Sequence, residues 1–147
     1  MIHTPIKLTG ALELRLERED GSIEVTTVEN LVLTAGKGVV ADRMKAVPTT
    51  SHFTHMAVGT GSSPVNVNDI GLAAEIARVV LGAATVAAAV VTYTAQFGPG
   101  VGTGALQEAG IFNAPAGSGV ELCRTLFAII NKAAGDTLNV TWTVTVG

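Results

Sequence analysis

The chain has 147 residues, of which 48% are apolar and only 14% charged, with a net charge of −3 at pH 7. That length predicts one domain over residues 1–147, with a core large enough to need neither a metal nor a disulfide. The single cysteine, Cys123, excludes a disulfide within the chain, and scattered Lys and Arg leave no basic footprint for nucleic acid.

Typical domains carry about 25% charged residues. So low a share leaves too little polar cover for the surface, which predicts an outside partly buried against partners. The opening MIHTPIKLTG has no basic segment followed by an apolar one, so it does not read as a signal peptide. The longest apolar run, Val79–Val91, is too short for a membrane span.

In chain order, Ile6–Leu16 alternates, with Ile6, Leu8, Leu12, Leu14 and Leu16 on one face of a half-buried strand. The alternation suits a strand kept in its own sheet or one exchanged with a neighbouring subunit. Asp20-Gly21 signals a hairpin turn, and Ile23 and Val25 continue the pattern on the returning strand. Thr34 reads as the N-cap of a short helix over Ala35–Ala46, weakened by Gly36 and Gly38 and stopped by Pro48. His52–Val58 reads as a strand and Gly59–Gly71 as a loop, followed by a helical turn or irregular lead-in at Leu72–Arg78.

Val79–Leu81 and Val86–Phe97 read as strands around Gly82. In the second, Ala87, Ala89, Val91, Tyr93, Ala95 and Phe97 share one face, while Val86, Ala88 and Val90 make the other face apolar at its start. That half of the strand is expected to be covered by another subunit. Gln107–Phe112 is a short strand, and Val120–Ile130 is apolar on both faces and therefore central. Leu138, Val140, Trp142, Val144 and Val146 alternate with polar residues in the clearest strand of all. Seven or eight short strands with turns between them predict an all-β fold, an antiparallel β-sandwich of jelly-roll-like type with one short helix.

No motif establishes chemistry. GTGSSP and GPGVGTG lack the lysine of a phosphate-binding loop, and their glycines read as loop punctuation. His52 and His55 point to opposite faces of a strand, and His3 lies near the terminus, so no metal site is expected. Cys123 lies in an apolar strand and reads as a small buried hydrophobe. No Gly-x-Ser-x-Gly elbow is present. Neither a catalytic group nor a cofactor is expected.

Four charges interrupt apolar segments: Glu75, Arg78, Glu108 and Arg124. Charges are rarely buried without partners, so two acids and two bases are expected to form buried or interface salt bridges. The competing reading is a carboxylate pair for acid–base chemistry. Candidate interface residues are Leu12, Leu14 and Leu16 on the first strand and Val86, Ala88 and Val90 on the Ala/Val-rich strand.

Five segments come in a suggestive order: ENLVLTAGKGVVADRM, THMAVGTGSSPVNVND, LAAEIARVVL, VTYTAQFGPGVGTGALQEAGIF and LCRTLFAIINKAAGDTLNVTWTVTV. Their succession, over about residues 28 to 147, resembles small tailed-bacteriophage virion proteins of the tail-fibre or structural type. The resemblance implies a non-enzymatic part of the virion, made in the bacterial host cytoplasm. It would assemble with itself, as a trimer or hexamer, and with other virion proteins. The resemblance is compatible with a fibre-attachment module, a neck or baseplate part, or shell decoration; of these a tail, neck or fibre position is expected, with a capsid decoration (cement) protein as the alternative. A carbohydrate-binding fibre module is a weaker rival, because such sites present exposed aromatics and most of the few aromatics here fall on core-facing positions. In proteins of this kind Glu75, Arg78, Glu108 and Arg124 look like scaffold positions.

Overall fold

The computed structural model describes residues 5–147. Nine strands and one helix follow in the order β1 (Leu8–Glu17), β2 (Ile23–Val32), α1 (Thr34–Arg43), β3 (His55–Gly59), β4 (Glu75–Val80), β5 (Ala83–Ala87), β6 (Val90–Phe97), β7 (Gly104–Phe112), β8 (Glu121–Lys132) and β9 (Thr137–Val146). The strands form one antiparallel sheet in the order β4-β3-β7-β8-β2-β1-β9-β6-β5. The expected mostly antiparallel β architecture with one helix is therefore present.

The two edge strands of this sheet, β4 and β5, are consecutive in the chain and separated only by Leu81 and Gly82. The Leu81 N–H donates to the Thr54 carbonyl beside β3 at 2.9 Å, and the Gly82 N–H to the Thr94 carbonyl of β6 at 2.8 Å. A two-residue connector spans opposite edges only if the sheet curls back on itself. On the other side of the curl, β2 pairs with β1 from Ile23 to Asn30, then turns to β8 through Leu31↔Arg124 and Val32↔Cys123. The result is a half-barrel whose two halves enclose a single core.

Alternation places that core. Leu12, Leu14 and Leu16 of β1, Leu138, Val140, Trp142 and Val144 of β9, and Tyr93, Ala95 and Phe97 of β6 point inward from one half. Met56, Val58, Ala109, Ile111 and Cys123 meet them from the other. The β1 leucines, expected at an interface, are thus core residues of their own subunit. β1 is held on both sides, by β2 and β9 of the same chain.

Three local expectations change. The helix starts at Thr34 and ends at Arg43, with Leu33 at its N-cap and no side-chain cap. Leu33 is buried with its N–H bonded to the Leu122 carbonyl, so the β2–β8 pairing runs up to the helix and sets its start. Gly36 is required there, because a Cβ would lie 2.5 Å from the Leu122 Cα. Leu72–Arg78, expected to be a helical turn or an irregular lead-in, is strand from Glu75 onward, since β4 is held by pairing with β3 and takes in Val79 and Val80 of the strand expected at Val79–Leu81. Val86–Phe97 is not one strand but the hairpin β5–β6, turning at Ala88 and Ala89 with Ala88 in the left-handed region at φ 52. No Gly, Asn, Asp or Pro marks that turn, so the Ala/Val run reads as continuous.

Candidate functional site

The outer face of β3, β4, β7 and β8 carries charge where the inner face carries core. Three breaks in register bring this about, one of them between Leu106↔Ile130 and Glu108↔Leu126, which turns Glu108 off the core face that Leu106 occupies. Residues three apart on a regular strand point to opposite faces, yet Glu75 and Arg78 meet. Opposite β3, the register slips from Val58↔Ala77 to Gly59↔Glu75, so Ile76 is an extra residue. Between β7 and β8 it slips from Ile111↔Cys123 to Phe112↔Glu121, so Leu122 is extra and Glu121 joins Arg124 on the charged face.

The structure pairs the four predicted charges within two salt bridges. Arg78 grips Glu75 with a two-pronged contact, Nη2–Oε1 at 2.6 Å and Nε–Oε2 at 3.0 Å. Its guanidinium lies 3.6 Å from the centroid of the Phe112 ring. Its Nη1 donates to the Ala114, Pro115 and Ser118 carbonyls at 3.1, 3.1 and 2.9 Å, tying down the β7–β8 loop. Arg124 donates to Glu108 Oε1 through Nε at 3.2 Å and Nη2 at 3.0 Å. Both side chains are buried, at 2% and 0% exposure.

The second pair holds a strap, residues 60–74, across the sheet. Glu108 accepts from the backbone N–H groups of Gly61, Ala73 and Ala74 at 2.8, 2.7 and 2.7 Å. Arg124 donates to Asp69 Oδ2 at 3.1 Å and to the Ser63 and Pro64 carbonyls at 3.0 and 3.5 Å. Glu108 therefore receives hydrogen bonds on both oxygens from both ends of the strap and from Arg124. A carboxylate so occupied anchors the strap to the sheet. Gly59 and Gly61 belong to the same construction, since a Cβ at either would run into the Glu108 carboxylate and the strap around Ala74. The GTG of Gly59–Gly61 is thus the point where the strap starts over Glu108.

Two members of this site lay outside the sequence reading. Asp69 sits in a loop with no apolar surroundings to single it out. Glu121 is fully buried, and neither of its oxygens has a hydrogen-bond partner among the described residues. Burial pushes its carboxyl up to about 8, with nearby Asp69 and Glu108 adding to the rise and Arg124 and Arg78 opposing it. The signal that picked out Arg124, a charge set against an apolar run, applies equally to Glu121.

The remaining expectations resolve individually. Cys123 lies in the core, where burial raises its thiol well above the ordinary value. His52 is exposed and precedes β3; His55 opens it, with Nδ1 2.7 Å from Thr54 Oγ1. His3, and the opening Met1–Thr4 of the stretch read against a signal peptide, lie outside the described residues. Among the described residues no group of three or more His, Cys, Asp or Glu is placed to hold a metal ion, and no helix is long and apolar enough to cross a membrane. Of the outward candidates, Val86 is 71% exposed, Ala88 is exposed at the turn and Val90 opens β6 half-buried. They gather at a hairpin tip instead of on one face of one strand. The four Phe, Tyr93 and Trp142 are all buried.

No family model matches the chain, and neither the curated proteins nor the solved structures contain a match.

Proposed function

We propose that this chain is a non-enzymatic structural module of a tailed-phage virion. In this reading it is built into the tail, neck or fibre-attachment region through copies of itself and other virion proteins. The observation that carries the reading is the β5 edge. All five residues of Ala83–Ala87 are exposed, and the strand pairs with β6 on one side only. An exposed apolar edge is a template for pairing with another chain, and soluble monomers normally blunt such edges with charge, proline or a covering element. No residue between Arg78 and Glu108 is charged, so a second copy approaching this edge meets no like charge. The succession of segments resembling phage virion proteins supplies the biological setting. The curled sheet is read within this proposal as a jelly-roll-like β-sandwich. Its β5-β6-β9-β1 half and its β8-β7-β3-β4 half are the two layers over a shared core.

Light scattering on the purified protein across concentration tests the assembly. The expected result is a stable trimer or hexamer, reduced to monomer by Val86→Lys with the fold intact by circular dichroism. A monomer at every concentration overturns self-assembly. Copy number in purified particles then separates the positions, because a tail or neck part is present in few copies and a head decoration protein in as many as the shell lattice provides.

A further inference from the structure

The mechanical role of the salt bridges leaves Glu121 unexplained. A buried carboxyl with no hydrogen-bond partner is costly, and a charged one far more so. Its position is nevertheless built. Gly110 lies beneath it on β7, where a Cβ would collide with the Glu121 carboxyl and also meet Leu72 Cδ2 of the strap at 3.1 Å. Glu121 is therefore held between the sheet and the strap.

The charges around it come from every element packed there. Arg124 and the Cys123 thiol lie on its own strand, Glu108 on β7, Arg78 on β4 and Asp69 on the strap. With Glu75 paired to Arg78, the cluster contains the four acids Glu75, Asp69, Glu108 and Glu121 against the two bases Arg78 and Arg124. Glu108 and Asp69 both pair with Arg124, whereas Glu121, buried beside them, has no donor among the described residues. The proton that limits the excess negative charge therefore resides on Glu121.

We propose that Glu121 is a proton-held latch: uncharged, it lets the strap of residues 60–74 lie closed over β7 and β8, and ionised, it drives the strap open. The site where the proton leaves is the one place in the cluster with no donor to stabilise the carboxylate, while Asp69 and Glu108 repel it. Lifting the strap removes Asp69 and Leu72 and admits water, which is the relief available to the new charge.

Closed, Glu121 titrates near 8; in the opened strap it returns toward the ordinary carboxyl range, about 4.3. The proton is thus held by the closed form and lost on opening, so opening is favoured as pH rises. The opening equilibrium is expected to increase by up to about tenfold per pH unit through this interval and to level off above it.

Amide hydrogen exchange at about pH 5.5 and about pH 8.5, each rate divided by its intrinsic rate, reads this directly. The N–H groups of Gly61, Ala73 and Ala74, which bond Glu108 in the closed strap, are expected to lose tenfold or more of their protection between the two pH values, and to stay less protected than those of β9 at both, as a local opening requires. Glu121→Gln, neutral at every pH, is expected to abolish that pH dependence. Equal corrected protection of the strap at both pH values in the unaltered protein overturns the proposal, and so does an unchanged pH dependence in Glu121→Gln. The first comparison needs no variant and decides the matter even if the substitution prevents folding.

Discussion

Arg124 is the residue on which most of the charged face depends. It neutralises Glu108, reaches Asp69 and holds two strap carbonyls. Removing one member of a buried ion pair leaves the other charged and unpaired, at a typical cost of about 3–5 kcal/mol. Arg124→Ala is expected to destabilise the protein by that order, measured as a shift of the urea midpoint. Arg124→Lys is expected to restore little of it, because a single ammonium cannot supply three separately directed nitrogens. The sequence exposes Glu75, Arg78, Glu108 and Arg124 as charges set in apolar surroundings, and that much is a one-dimensional signal. Which acid pairs with which base is not. Glu108 and Arg124 are sixteen residues apart in sequence, and only the β7–β8 register brings them together.

At the level of elements, the glycines of α1 separate two effects. Gly36 lies against the Leu122 backbone, whereas Gly38 has nothing near its missing Cβ. Gly36→Ala is expected to destabilise by about 1–3 kcal/mol through overpacking. Gly38→Ala is expected to stabilise by about 0.5–1 kcal/mol through helix propensity alone. Thermal or urea unfolding of the two single variants checks the opposite signs. From sequence the two glycines look alike, each a helix weakener. The strands legible in sequence, β1 and β9, are those with apolar residues on one face and polar residues on the other. β5 and β6 read as one strand because alanine and valine fill both faces and the turn at Ala88 carries no turn residue. Only the end of β4, at Val79 and Val80, is legible as strand, because the bulge at Ile76 destroys the period of two over its first half.

On the scale of the whole molecule, the curl makes the two halves of the sheet one structural unit. Trp142 is fully buried in the shared core and pairs across β9–β6 with Tyr93, while Val58, Ile111 and Cys123 close the core from the opposite half. Neither half retains a covered apolar face without the other. Urea unfolding followed by Trp142 fluorescence and by far-ultraviolet circular dichroism is therefore expected to give coincident transitions. A dichroism transition that persists after the fluorescence change is complete would mean that one half stands alone.

The amino-acid sequence by itself determined the β-rich class, the single helix and the inward faces of β1 and β9, because alternation of side chains is a local property of an extended backbone. It also marked four of the charges that build the outer network. The tertiary structure decided the sheet order, the joining of its edges through Leu81–Gly82, the burial of the β1 leucines in their own core and the placing of Glu121 under the strap. Those features depend on register and on breaks in it, where an extra residue reverses which face a side chain occupies, and that choice is made by pairing with strands distant in sequence.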